Sequence, residues 1–558
     1  MLKEVPKQFY YFLAVILALN LVQSYFTELI YDEAYYWYYS QNMAWGYFDH
    51  PSLVALLIKI SSFFFNGELG VRFMSCLLSA ATTLVLWLVV DHPQKNGYIP
   101  HFFVLVCSMT LLNAYGFLTL PDTPLLFFTS CFLLVYKKFI EKPSLGVSVV
   151  LGIVMACLMY SKYHAVLVIL FVLLSNLKLV KNKYAWYAVT IALVCYTPHF
   201  YWLYEQDFVS INYHISERPN GAYDFEKYTL GFFVNLVAIF GLTFPFIYQA
   251  LFNTKTSSIF TKALLFLTYG VILFFFVSSF NRRIQTQWVI IICIPLVVLV
   301  YQYMLENKTS AKWIYRLGLA NIVIILYLRV GLVYQPLLFN IYYETHGNKE
   351  WVKTVAEEAG DTPVVFENSY RNAPMYSFYS GNTSFSLNNV RYRKNQYSID
   401  NSEETVRNKK ILYISKYSKH GPFKFTKMSG TEFIGNYITN FNSYRKLECI
   451  IDEDENEISI DESLTLKVYN PYNFNVPLSE LKFGIAYLDG FKKVQEIMPL
   501  TVSTIRQETE TLLAKDTTYF EIPTPNPVKI EKPTYFRIVI SENNLYFGLN
   551  GKPVPLPQ

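Results

Sequence analysis

Charge is what this chain has least of. Only 16% of its 558 residues are Asp, Glu, Lys or Arg, and the net charge is +5. No basic cluster stands out. A nucleic-acid partner needs a dense basic stripe to neutralise phosphates, so that function class is excluded. Cysteine is also sparse. Cys76, Cys107, Cys131, Cys157, Cys195 and Cys293 lie in apolar runs, and Cys449 is alone in the C-terminal part. A lone cysteine forms no intradomain disulfide, and without a C-x-x-C pair there is no thiolate metal pattern. A clear small-x-small cleavage site is missing near the N-terminus. Lys3 and Lys7 precede a long apolar run from Tyr10 to Ile30, which is expected to remain as a signal-anchor helix.

What the chain has instead is apolar length. Hydrophobic residues make up 53% of it, and they concentrate in residues 1–343, while 344–558 has the composition of a soluble protein. About 20 apolar residues cross a bilayer. About eleven runs approach that length: 10–30, 70–91, 100–118, 123–140, 145–161, 163–177, 184–203, 229–251, 261–279, 287–305 and 313–334. The expected fold class is a multi-span α-helical membrane protein with about eleven transmembrane helices and a folded C-terminal region.

The loops between the runs set the orientation. One set holds Lys3, Lys7, Lys95, Lys137, Lys138, Lys142, Lys178, Lys181, Lys183, Lys255, Lys262, Lys308, Lys312 and Arg316. The alternate set holds Lys59, Lys162, Arg218, Lys227, Arg282 and Arg283. The positive-inside rule makes the first set cytoplasmic. The loop 31–51 and the C-terminal region are then expected outside the cytoplasm, and the localisation is a plasma (inner) membrane.

The stretch Tyr31–Pro51, YDEAYYWYYSQNMAWGYFDHP, packs Asp32, Glu33, Asp49 and His50 among aromatics. Acids at the end of a membrane helix are costly unless they face water, a partner or a substrate. Asp32 and Glu33 have the chemistry of a general base, a cation site or a solvated helix cap. The following tyrosines, Tyr36 among them, give a shell that can stack on sugar rings or sit as an interfacial belt. Asp49 beside His50, with Tyr47 two residues before, allows an oriented imidazole or a ligand pair. After it, 51–67 reads as a helix lying in the membrane interface, with a re-entrant or core helix as the alternative.

Later groups carry opposite charge. Asp122 in LPDTP reads either as an N-cap ahead of Pro124 or as a second acid facing the same outer space as Asp32. Lys162 in YSKYH and the pair Arg282–Arg283 depart from the positive-inside pattern. Guanidinium binds phosphate oxygens bidentately, so they read as a phosphate clamp or as chains reaching lipid headgroups. Arg72 carries the same two readings. The loop 205–228, with His214, Glu217 and Arg218, is long enough for a substrate cover.

Four motifs now fall in one order: DEAYYWYYSQNMAWGYFDHPSLVALLIK, ELGVRFMS, LPDTPLLFF and SKYHAVL. Together they resemble the membrane glycosyltransferases of the GT-C fold, in the family 39/83-like branch near the bacterial lipid A aminoarabinose transferase and the protein O-mannosyltransferases. The resemblance covers about residues 10–305. It implies a polyprenyl-phosphate sugar donor, an acceptor outside the cytoplasm (lipid A, a surface glycan or a protein) and inversion at the anomeric carbon. It also implies that Asp32 is the catalytic or acceptor-orienting acid and Asp122 the second acid. By the same resemblance Lys162 and an arginine of 282–283 would hold the donor phosphate. Arg72 is a further candidate for that phosphate, and Glu33, Tyr36, Tyr47, Asp49, His50, Tyr163 and Trp288 are the candidates for the substrate site. This chain has DHPS where DHPP is usual, His164 after SKY, and QTQW where relatives often read E-x-N-W; the departures concern the acceptor. No cofactor is implied with certainty, although the acids leave room for a divalent cation.

The C-terminal part is expected as two pieces. Residues 344–440 read as a small α/β segment, with TPVVFENSY, a helix over NAPMYSFYSG and a strand at ILYISKY. Residues 441–558 read as a β-sandwich with strands at LTLKVYN, KFGIAYLD, KVQEIMPLTV, YFRIVIS and LYFGLN. No catalytic group stands out there, which suits acceptor binding or covering of the membrane cavity. A glycolipid transporter or flippase is the alternative function. It would place polar or broken helices at mid-membrane, whereas the polar motifs here gather at the outer mouths.

Overall fold

The computed structural model describes residues 5–217, 221–452, 463–505 and 509–556. Arg218, and Lys3 at the N-terminus, lie outside the described residues. Two compact units form: residues 1–210 with 223–348, and residues 211–222 with 349–558.

The first unit is helical. Its order begins α1 (Lys7–Phe26), α2 (Tyr31–Gln41), α3 (Leu53–Phe64), α4 (Gly67–Val89), α5 (Ile99–Ser108), α6 (Thr110–Ala114), α7 (Asp122–Glu141), α8 (Leu145–Ser161), α9 (Ala165–Ser175) and α10 (Lys183–Glu205). The chain is a multi-pass membrane protein. Among the described residues six helices are long and apolar enough to cross a bilayer, or seven if one bent pair counts as a span. The expectation of about eleven is not met by straight helices, because several apolar runs are short or broken.

Two breaks share one hydrogen-bonding partner. The run 100–118 stops at Met109, whose backbone is extended, and the run 229–251 turns by 96° between Ala238 and Gly241. Gly241 has φ +54, a conformation that favours glycine. Asn321, from the helix Lys308–Val333, lies between the breaks. Its Nδ2 donates to Ser108 O at 2.5 Å, and its Oδ1 accepts from Leu242 N at 3.4 Å. Backbone groups freed in a membrane need such partners.

The helix α3 packs on α2 and α4 and leaves Phe63 and Phe64 exposed. An apolar helix of twelve residues is too short to span, and exposed phenylalanines at its end suit the interface.

The second unit joins an α/β sheet to a sandwich. The five-stranded sheet has the order β2-β1-β3-β5-β4, with β1 Val364–Glu367, β2 Ser384–Leu387, β3 Lys409–Ser415, β4 Phe423–Thr426 and β5 Glu432–Phe441. β1 runs parallel to β2 and β3, and the connection from β1 to β2 carries the helix Asn372–Ser380. A parallel pair requires such a crossover. The sandwich has two four-stranded sheets. Alternating residues of both, including Leu466, Val468, Ile485, Phe520 and Ile538, form one core. The run LYFGLN is not a strand: Phe547 O accepts from Val390 N, Gly548 N donates to Ile540 O and Asn550 O accepts from Cys449 N. Bonds sent to three different segments preclude one ladder. The strand Thr517–Pro523 takes the central place beside Ser463–Tyr469 instead.

Candidate active site

The acids of α2 separate at once into two environments. Glu33 is fully buried, while Asp32 is half-exposed. At the helix start, Glu33 accepts the Ile30 N–H at 3.2 Å, which supplies an orphan donor of the first turn. Its carboxylate then meets Arg72 of α4 bidentately, at 2.7 and 2.5 Å, and accepts the Thr119 N–H at 2.8 Å. The remaining guanidinium hydrogens go to the end of α1, at Thr27 O (2.5 Å), Glu28 O (3.0 Å) and Ser24 O (3.2 Å). Arg72, expected at the donor phosphate, and Glu33, expected at the substrate, thus face each other, and together they join α2 to α4 and the end of α1.

Asp122 heads α7 directly after Pro121. Its carboxylate faces Lys162, which lies in the turn between α8 and α9, at 2.8 and 3.0 Å. Both side chains are buried. A carboxylate in a first helical turn is favoured by the helix dipole, and the lysine supplies its counter-charge. The next residues join the same place: the His164 ring lies 5.6 Å from Trp288. Trp288 belongs to the turn Thr286–Ile292, which packs on α7. Arg282 is half-buried and Arg283 exposed at the head of that turn.

One residue missed by sequence lies near both acids. The buried phenol of Tyr115 lies within electrostatic reach of both Asp122 and Asp32. Its signal was faint: Asn113-Ala114-Tyr115-Gly116 is a polar interruption in an apolar run.

The aromatic shell sorts likewise. Tyr47 stacks on Tyr39, with centroids 4.2 Å apart and planes at 6°. The Tyr47 hydroxyl donates to Tyr39 O at 3.0 Å and accepts the Ala44 N–H at 3.1 Å. Burial pushes its phenol up to about 12. Tyr47 thus shapes the loop, and its hydroxyl is spent on backbone. The Tyr39 hydroxyl donates to Asp49 at 3.4 Å, and Tyr36 sits edge-on to His50 at 5.6 Å. Burial, then nearby Tyr35 and Asp49, push the Tyr39 phenol up.

His199 of α10 was also missed. Its Nδ1 lies 2.7 Å from Trp45 O, and a carbonyl only accepts, so Nδ1 carries the proton. In the neutral ring Nε2 then accepts from the Tyr163 hydroxyl at 3.2 Å. Tyr163 in turn feels the charge of Asp49. The loop 42–52 is so tied to α10.

No three His, Cys, Asp or Glu side chains gather into a metal-holding group among the described residues. The acids nearest such a role, Glu33 and Asp122, already face Arg72 and Lys162.

Superposition on a solved structure gives this chain the GT-C fold. ArnT from Cupriavidus metallidurans superposes with a TM-score of 0.57 over 77% of this chain and 97% of its own, at 14% identity. The same protein bound to undecaprenyl phosphate gives a TM-score of 0.54 with the same coverage and identity. Residues 49–202 match the family model of dolichyl-phosphate-mannose-protein mannosyltransferase. The lipid A galacturonosyltransferase RgtD of Rhizobium johnstonii is 26% identical over 196 residues, 34% of this chain and 41% of its own length. The match thus spans less than half of that curated relative.

Proposed function

We propose that the protein transfers a sugar from a polyprenyl-phosphate donor to an acceptor outside the cytoplasm. Its acceptor class is a glycolipid, glycan or protein at the outer face of the plasma membrane. The observation that carries the reading is the buried pairing of Lys162 with Asp122, together with a half-exposed Asp32 at the start of α2 and with Tyr115 in electrostatic reach of both acids. The relatives named above, one of them solved with undecaprenyl phosphate, support the donor class.

The chemistry needs little more. The acceptor oxygen attacks the anomeric carbon, and its bond to the sugar forms as the sugar–phosphate bond breaks. The lipid phosphate leaves with the electron pair, and the acceptor proton passes to Asp32. Lys162 meets the charge that grows on the leaving phosphate, and Asp122 holds the ammonium in place. The Arg282–Arg283 pair adds a guanidinium to that phosphate.

The test is transfer by purified protein supplied with polyprenyl-phosphate sugars, comparing wild type with Asp32→Asn and Lys162→Met. Loss of at least about a hundredfold in Asp32→Asn is expected for removal of a general base, and full activity there would overturn the assignment.

One observation speaks for a transporter: broken helices and a buried arginine within the helical unit. Arg329 donates to Asn113 Oδ1 and Asn20 Oδ1, each at 2.8 Å. These groups satisfy one another, and the cavity they line holds about 40 Å³. That is room for a water and not for a glycolipid, so the polar groups here serve the fold.

A further inference from the structure

The second unit contains a cleft of about 540 Å³ whose lining is strongly one-signed. Seven of its sixteen lining residues are Lys or Arg, and among them none is acidic. Three places supply most of the charge: Arg391, Arg393 and Lys394 in the loop after β2, Lys492 and Lys493 in the turn before Val494, and Lys552 near the C-terminus. A cleft lined by one sign of charge draws an anionic occupant.

The charges are placed and not merely numerous. Arg391 donates through Nη1 to Val494 O at 2.9 Å and through Nε to the Tyr546 hydroxyl at 2.8 Å. That engages two of the five N–H groups of a guanidinium. Arg393 lies over the Tyr370 and Tyr213 rings, at 4.4 and 5.2 Å. The acid of the lysine-bearing turn, Asp489, accepts the N–H groups of Phe491 (2.8 Å) and Lys493 (3.0 Å) and the Gln495 amide (2.7 Å). It shapes the turn that presents the lysines. Tyr213, Tyr392 and Phe491 add aromatic rings to the same lining.

We propose that this cleft binds a phosphorylated saccharide, the anionic sugar end of the acceptor. Guanidinium and ammonium groups take the phosphates, the aromatic faces take the sugar rings, and the volume suits a ligand of a few rings. Its role as acceptor rests on the transferase reading; the binding itself does not.

The experiment measures binding calorimetrically to the full-length protein in detergent, with no donor present. The probes are a deacylated, bisphosphorylated glucosamine disaccharide, its dephosphorylated counterpart and inorganic phosphate. The phosphorylated disaccharide should bind at least about tenfold tighter than either other probe and weaken as salt rises. Lys492→Ala combined with Lys493→Ala, two exposed positions, should lower its affinity at least about tenfold with an unchanged melting temperature. Equal binding of the dephosphorylated disaccharide, inorganic phosphate binding as tightly as the phosphorylated sugar, or an unaltered affinity in the double variant would each overturn the proposal. Phosphosaccharide binding without sugar transfer from any donor would sink the transferase reading and leave the cleft intact.

Discussion

The Lys162 ammonium sits 2.8 and 3.0 Å from the two oxygens of the Asp122 carboxylate, with both side chains buried. Removing either partner strands the other charge, at a cost of about 3–5 kcal/mol. Asp122→Asn and Lys162→Met should each lower the melting temperature in detergent. The combined variant should regain most of that stability, because neither charge remains. It should not regain transfer, because the charge that meets the phosphate is gone. A double variant that is stable and fully active would show that the pair serves folding alone.

The Glu33–Arg72 pair leads to a different expectation. Arg72 ties α1, α2 and α4 through five hydrogen bonds. Lysine offers a point charge in place of a planar fork, so Arg72→Lys should lose several of these bonds and about 2–5 kcal/mol. Folded yield and melting temperature should fall together with activity. An Arg72→Lys protein with wild-type stability but poor donor affinity would instead support the phosphate-binding reading of this arginine.

How far the sequence carried the reading follows from distance along the chain. Acids and aromatics in one loop are visible because they are neighbours. The partner of Glu33 lies 39 positions away, and an arginine entering a span reads equally well as a headgroup contact. The break at Met109 was invisible because its surroundings are apolar, and the group that permits it, Asn321, bonds across 213 positions. In the second unit, LTLKVYN and YFRIVIS alternate and became strands, as period two dictates. LYFGLN alternates as well, but its backbone bonds are divided among three segments. Pattern alone cannot show where a bond goes.

The second unit should respond to acid through Glu542. Burial pushes its carboxyl up from the ordinary value, against the pull of Arg445 and with Glu403 nearby adding to the rise. A folded value above the unfolded one means that the native state binds more protons in the window between them. The stabilisation is then full below the unfolded value of about 4.3 and is lost as pH rises through the folded one. Melting temperatures of wild type and Glu542→Gln, followed from about pH 4 to about pH 7, should show wild type losing ground to the variant as pH rises. A constant difference across that window would mean that Glu542 titrates normally.

Gly46 sets how closely the acidic loop approaches α10. A Cβ there would stand 2.4 Å from the Trp202 ring and 2.8 Å from His199. The glycine also closes the turn that carries Asp49 and His50, through its bridge to Pro51 and the Tyr47 N–H bond to His50 O at 3.0 Å. Gly46→Ala should therefore cost about 1–3 kcal/mol by overpacking and reduce transfer by displacing the turn. Trp202→Ala removes the obstructing ring. Combined with Gly46→Ala it should cost less than the sum of the two single changes, by about 0.5–3 kcal/mol. Melting temperatures and transfer rates of the four proteins measure that coupling, and strict additivity would show that the two residues do not meet.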